Sequence, residues 1–165
     1  MVVEVMITIH PLSSEFYDAL YPVAVKAEPM PGGIVPPLDL FRMEMFKREG
    51  FVLVVDGQCI GCVSYSDHQP RQDITMHVFI DKKYRGLWCS RKVLRIAFSF
   101  PFIELGLPRC SGLYISGINS ETGVFLSRLG FKMEGVKRNG FILNGRAYNI
   151  VTFGMLLNEC RWLKI

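Results

Sequence analysis

Lys82, Lys83 and Arg85 gather positive charge around Gly86, between two apolar segments of different period. Ile74 to Ile80 is apolar and partly β-branched and reads as a strand, whereas from Trp88 onward the apolar residues fall at helical spacing. A basic turn at that junction would present positive charge and unpaired backbone N–H groups at a helix N-terminus, which is chemistry suited to a phosphate. A second apolar run, Cys110 to Gly117, follows the breaker Gly106-Leu107-Pro108. The order strand, helix, strand predicts a parallel pair joined by a right-handed crossover.

The other suggestive spacing is Cys59-x-x-Cys62. Three residues along a strand put these thiols on opposite faces, and no second pair with ligand spacing exists, so no metal is expected. The five cysteines are odd in number and fall mostly inside expected strands and helices, which argues against a disulfide framework and for reduced thiols. At 165 residues the chain has the size of one domain, 1–165. Half of the residues are hydrophobic, yet the apolar runs are short and broken by charge, so neither disorder nor a membrane span is expected. MVVEVMITIH lacks the basic region and cleavage site of a secretory signal, which points to the cytoplasm. The net charge of +4 suits an anionic ligand, and the basic groups lack the interleaved aromatics that nucleic acid would call for.

Around the central unit the spacing predicts a strand over Val2 to Ile9 and then a helix capped by Ser13 or Ser14, with Pro22 breaking or kinking it. A Pro/Gly loop, Glu28 to Pro37, precedes a helix from Leu40 to Glu49 that Asp39 caps and Gly50 ends. Phe51 to Val55 and Gln58 to Tyr65 flank Asp56-Gly57 as a hairpin, and Ser66 to Gln72 reads as a polar connector. Asn119 to Leu129 reads as a short helix ending at Gly130. Phe131 to Leu143 and Arg146 to Leu157 form a last hairpin about Asn144-Gly145, with a bulge at Asn139-Gly140. In the tail, Trp162 and Leu163 need an apolar partner, in the same domain or in a second subunit of an oligomer.

This α+β order, a mostly antiparallel mixed sheet with one parallel step and flanking helices, resembles the GNAT acetyltransferase family over nearly the whole chain, and the resemblance implies a twisted sheet whose parallel fourth and fifth strands splay. Arg85-Gly86-Leu87-Trp88-Cys89-Ser90 stands where that family has R/Q-x-x-G-x-G/A, with Trp88 and Ser90 in place of the small residues. Asn119-Ser120-Glu121-Thr122 resembles its N-x-x-S/T, and Leu129 to Gly135 resembles the L-G-F-x-x-E-G of the branch that acetylates N-termini of ribosomal proteins. The R-G-x-W turn and the closing ECRWL are similar to GNAT-like proteins of tailed bacteriophages.

The resemblance implies acetyl-coenzyme A as cosubstrate. It places the pantetheine amides on Val78, Phe79 and Ile80 and the phosphates on backbone N–H groups of Gly86, Leu87, Trp88, Cys89 and Ser90. Arg85 and Arg91 supply charge there, and Asn119 joins the cofactor side. Trp88 fits such a turn if its backbone is helical. His77 is the histidine near the expected splay and so the candidate base, against the plainer reading of a half-buried strand histidine with a backbone partner. Thr122 occupies the position of a serine offered to the leaving thiolate, or else caps the helix. Phe141 stands where the ribosomal-type enzymes carry a glutamate base, which leaves Asp73, Glu121 and Glu134 as substitutes. Apolar residues in Glu28 to Pro37 and Asn139 to Gly145 favour a peptide or another apolar-flanked amine over a polyanion, so the expected acceptor is a protein N-terminus or a small-molecule amine. Two functions follow: an N-acetyltransferase acting by direct attack, or a degenerate GNAT-fold protein, for which the phage resemblance offers an origin, that binds coenzyme A or a host partner without turnover.

Overall fold

The computed structural model describes residues 6–27 and 35–163, with the backbone alone for Trp88. Its strands are β1 (Ile7–Pro11), β2 (Glu49–Val55), β3 (Gln58–Gln69), β4 (Asp73–Ile80), β5 (Arg109–Ile115), β6 (Lys132–Leu143) and β7 (Arg146–Leu156). Helices are α1 (Tyr17–Lys26), α2 (Leu38–Phe46), α3 (Arg85–Trp88), α4 (Arg91–Ser99) and α5 (Glu121–Leu129). The strands make one sheet in the order β1-β2-β3-β4-β5-β7-β6, antiparallel throughout except for β4 and β5. That parallel pair is in register only at Thr75 and Ser111. Beyond it the strands diverge, so the edge of β4 from Met76 to Ile80 is left without a strand partner on the β5 side.

Alternation along β2 divides the core in two, because successive side chains point to opposite faces. Leu53 and Val55 join a cluster with Val93, Leu94, Ala97 and Phe98 of α4, while Val52 and Val54 pack with Leu20, Phe41 and Met45 of α1 and α2. Each fully buried side chain of this size contributes roughly 1.5–3 kcal/mol relative to exposure. α1 follows a 3-10 turn, Ser14–Phe16, and runs past Pro22 to Lys26.

Several boundaries differ from the sequence reading. β1 runs on through Pro11, which an edge strand tolerates, while residues 2–5 of the expected first strand and 28–34 of the Pro/Gly loop lie outside the described residues. α2 begins at Leu38, with Asp39 in its first turn bonded to Arg42 at 3.0 Å, and it ends before Glu49. Gly50 sits inside β2 rather than closing a helix: a Cβ there would stand 2.1 Å from Val63 O, so the two strands approach too closely for a side chain. Ser66 to Gln72 is not a free connector. β3 extends into it as far as Gln69, and the chain folds back onto β4 by a tight turn over residues 70–72, with Gln69 opposite Asp73.

The chain continues past α4 in a wider, π-type turn, Phe100–Glu104, closed by Leu105 N–H on Phe100 O at 3.0 Å. Pro101 has no N–H to give to Ala97 O, the carbonyl four residues before it. The buried Tyr65 hydroxyl donates to that oxygen instead, at 2.5 Å. In the last hairpin, Asn144 and Gly145 both have positive φ, as a type I′ turn requires, and the register shifts around Asn139. α5 ends at Gly130 with φ +107. Trp162 Nε1 then donates to Leu129 O at 2.8 Å, and Trp162 and Leu163 pack on the larger core. The apolar partner that the tail required is internal.

Candidate functional site

A cleft of about 450 Å³ opens where β4 and β5 part, walled on its far side by α5. His77, Val78, Phe79, Ile80, Arg85, Cys89, Asn119 and Thr122 all line it. Gly86, Leu87, Ser90 and Arg91 belong to the adjoining turn and, among the described residues, are not part of the wall. Glu121 lines it as well, and so do residues the sequence had not marked out, among them Met76, Leu113, Phe125, Leu126 and Arg128.

The turn after β4 is built in two steps rather than as one helix from Trp88. Asp81 Oδ1 accepts from Lys83 N–H at 2.9 Å and starts a 3-10 turn, α3 follows, and Ser90 then caps α4 by accepting from Val93 N–H at 3.4 Å. The Trp88 backbone is helical, as close approach to a ligand demands. The N–H groups of Cys89 and Ser90 are spent on Leu87 O. Arg85 faces Glu121 in the first turn of α5, with Nη1 3.7 Å from Oε2.

On α5's side, Asn119 is buried and its Oδ1 accepts from Ile115 N–H at 2.7 Å, so this side chain ties the end of β5 to the start of the helix. Ser120 Oγ accepts from Gly117 N–H at 3.1 Å. Thr122 is not a cap: it is half-buried, it faces the cleft, and its hydroxyl has no hydrogen-bond partner among the described residues.

His77 has a side-chain partner rather than a backbone one. Its Nε2 lies 2.7 Å from Ser66 Oγ, and Ser66 donates to Asp67 Oδ2 at 2.8 Å. Burial, reinforced by the nearby Arg48 charge and opposed by Asp67, pushes its pKa down to about 4. The ring is therefore neutral at pH 7, a weaker base than an unperturbed histidine but always available to accept a proton.

The three carboxylates weighed as alternative bases, Asp73, Glu121 and Glu134, each lie beside an arginine. Arg109 Nε donates to Asp73 Oδ2 at 3.0 Å, and its Nη1 and Nη2 grip Glu134 at 3.0 and 2.7 Å. Ser111 joins them, donating to Asp73 at 2.5 Å. A Cβ on Gly154 would fall 2.3 Å from Glu134 Oε1, so that glycine makes room for the network. This cluster sits where β4 and β5 are still paired, away from the splay. Phe141 lies opposite Tyr148 in the last hairpin. Each of the five cysteines is a free thiol, and no group of three metal-ligating side chains exists among the described residues. Nor is any helix among them long and apolar enough to cross a membrane.

No sequence-family model matches the chain, and no curated protein matches it. Solved structures do. A chimera of the spermidine N-acetyltransferase SpeG of Vibrio cholerae with hSSAT superposes with a TM-score of 0.77 at 16% identity, over 96% of this chain and 99% of that one. A GNAT-family acetyltransferase from Bacillus anthracis gives 0.72 at 14% identity, over 96% and 100%. The fold is that of the GNAT acetyltransferases. At these identities the likeness is one of fold, and within the GNAT fold the parting of β4 and β5 is the splay that the sequence resemblance implied.

Proposed function

We propose that the chain is an N-acetyltransferase that takes acetyl from acetyl-coenzyme A and passes it to an amine by direct attack. The observation that carries this reading is convergence: a candidate base, an unpaired strand edge and an unengaged hydroxyl, from β4 and α5, line one cleft. Its volume lies within the range of small-molecule sites. Main-chain groups of Val78 to Ile80 would pair with the pantetheine amides, and Arg85 with the α4 end of the turn would hold the phosphates. Acetyl-coenzyme A bound there supplies an activated acyl carbon and a thiolate leaving group. His77 would accept the proton of the attacking amine, and Thr122 would donate to the developing thiolate.

As acceptor, an amine flanked by neutral or apolar groups fits better than a polycation such as the spermidine of SpeG, because Arg48 already acts on His77. A protein N-terminus meets that description and agrees with the Asn119–Thr122 and Leu129–Gly135 motifs. Free thiols suit a reducing compartment such as the cytoplasm.

A second reading, a coenzyme A-binding protein without turnover, has its own support. The Cys89 and Ser90 N–H groups are already bonded, Arg85 has a carboxylate beside it, and the acidic groups proposed in place of a glutamate base are paired. Calorimetric titration with acetyl-coenzyme A, followed by thiol release on a panel of amines, separates the two. Binding with turnover supports the enzyme, binding without turnover the second reading, and absence of binding removes both.

A further inference from the structure

Adjacent residues of a strand point to opposite faces, so neighbouring side chains seldom bond to one another. Ser66 and Asp67 are an exception, with Ser66 Oγ donating to Asp67 Oδ2 at 2.8 Å. The cause is local: Asp67 has φ +53, in the left-handed region that Asp tolerates, and the β3–β4 register shifts just there. That departure from alternation turns the carboxylate toward its own neighbour. Ser66 in turn reaches diagonally across the ladder, since His77 is in register with Ser64, and meets His77 Nε2 at 2.7 Å.

A serine hydroxyl has one proton. Here it is committed to a carboxylate, which can only accept. The short contact to Nε2 then requires the proton between them to be the ring's own, with Nε2–H donating and Ser66 Oγ accepting. A neutral imidazole carries one N–H, so its lone pair is on Nδ1, which has no hydrogen-bond partner among the described residues. We propose that Ser66 and Asp67 are positioning residues that hold His77 as the Nε2–H tautomer and reserve Nδ1 as the proton acceptor of the cleft. The proposal rests on the acetyltransferase reading for its purpose, though not for its geometry. In the reaction, the amine nitrogen bonds to the acyl carbon, the carbon–sulfur bond breaks with its electron pair on sulfur, and the proton lost by nitrogen passes to Nδ1. The imidazolium then returns that proton to the thiolate or to water.

A long-range ¹H–¹⁵N correlation spectrum of the full chain, with ¹⁵N-labelled histidine at neutral pH, tests this, because N–H and bare ring nitrogens resonate far apart. Of the three histidines, the His77 signals are those lost in His77→Gln. The expected wild-type spectrum has the proton on Nε2. Ser66→Ala should remove the preference, drawing the two ring shifts together. Asp67→Gly, which retains the backbone conformation, frees the hydroxyl proton to point at Nε2 and should reverse the tautomer. Wild-type protein with its proton on Nδ1, or ring shifts unmoved in both variants, overturns the proposal. Kinetics give a separate answer: kcat should fall at least about tenfold in Ser66→Ala with KM for acetyl-coenzyme A unchanged, and Ser66→Thr should restore it. A chain that turns over no amine yet has the expected tautomers refutes the acetyltransferase reading while leaving the positioning intact.

Discussion

Arg85 Nη1 stands 3.7 Å from Glu121 Oε2, so one of the cations expected to meet coenzyme A phosphates is already beside a carboxylate from the opposite wall of the cleft. Both side chains are well exposed, and such pairs contribute little to stability. Their effect on an incoming anion is larger in consequence, because the ligand must compete with Glu121 for the same guanidinium.

Glu121→Gln should therefore tighten acetyl-coenzyme A by about twofold to fivefold, whereas Arg85→Glu, which sets a negative charge beside phosphate, should weaken it by about tenfold or more. Calorimetry at low and moderate salt reads both effects, and the gain in Glu121→Gln should shrink as salt rises. Equal affinity in all three proteins would take Arg85 out of the site.

The Tyr65–Ala97 bond makes a second, structural prediction. Tyr65→Phe leaves a buried carbonyl without a donor and should cost about 1–3 kcal/mol in urea unfolding. Pro101→Ala supplies an N–H four residues beyond Ala97, so adding it to Tyr65→Phe should recover part of that loss. Strictly additive effects would mean that the proline did not create the vacancy that Tyr65 fills.

His77 links stability to pH. Its pKa is about 4 in the folded chain against 6.5 for the free side chain, so below pH 6.5 the unfolded state takes up a proton that the folded state resists. Above pH 6.5 the ring is neutral in both states, so this linkage contributes nothing there. As pH falls from 6.5 to 4 the folded state loses ground, by on the order of 3 kcal/mol in all, and the loss levels off below that. Denaturant midpoints measured across this window should slope in wild type and flatten in His77→Gln. An unchanged slope in the variant would mean that other groups titrate there.

Much of this arrangement was legible in the chain. Asp56-Gly57 and Asn144-Gly145 carry their turn type in two residues, and the change of period after Ile80 marks the parallel step. The β3–β4 turn was not, because Ser66 to Gln72 is polar and offers no alternation. Its pairing is set by backbone bonds and by the left-handed Asp67 and Arg71, and the partner of His77 was hidden with it. The break between α3 and α4 escaped for a related reason: apolar spacing runs through it, while the Ser90 cap that restarts the helix is a single hydroxyl. Arg109 could be read only once β4 and β5 were aligned, since Asp73, Ser111 and Glu134 come from three different strands.

The most direct measurement is the steady-state release of coenzyme A thiol with a competent amine, in wild type and in His77→Gln, alongside calorimetric affinity for acetyl-coenzyme A. If His77 takes the proton in the cleft, turnover should fall about a hundredfold or more with affinity nearly unchanged. A folded His77→Gln protein that turns over like wild type would contradict it.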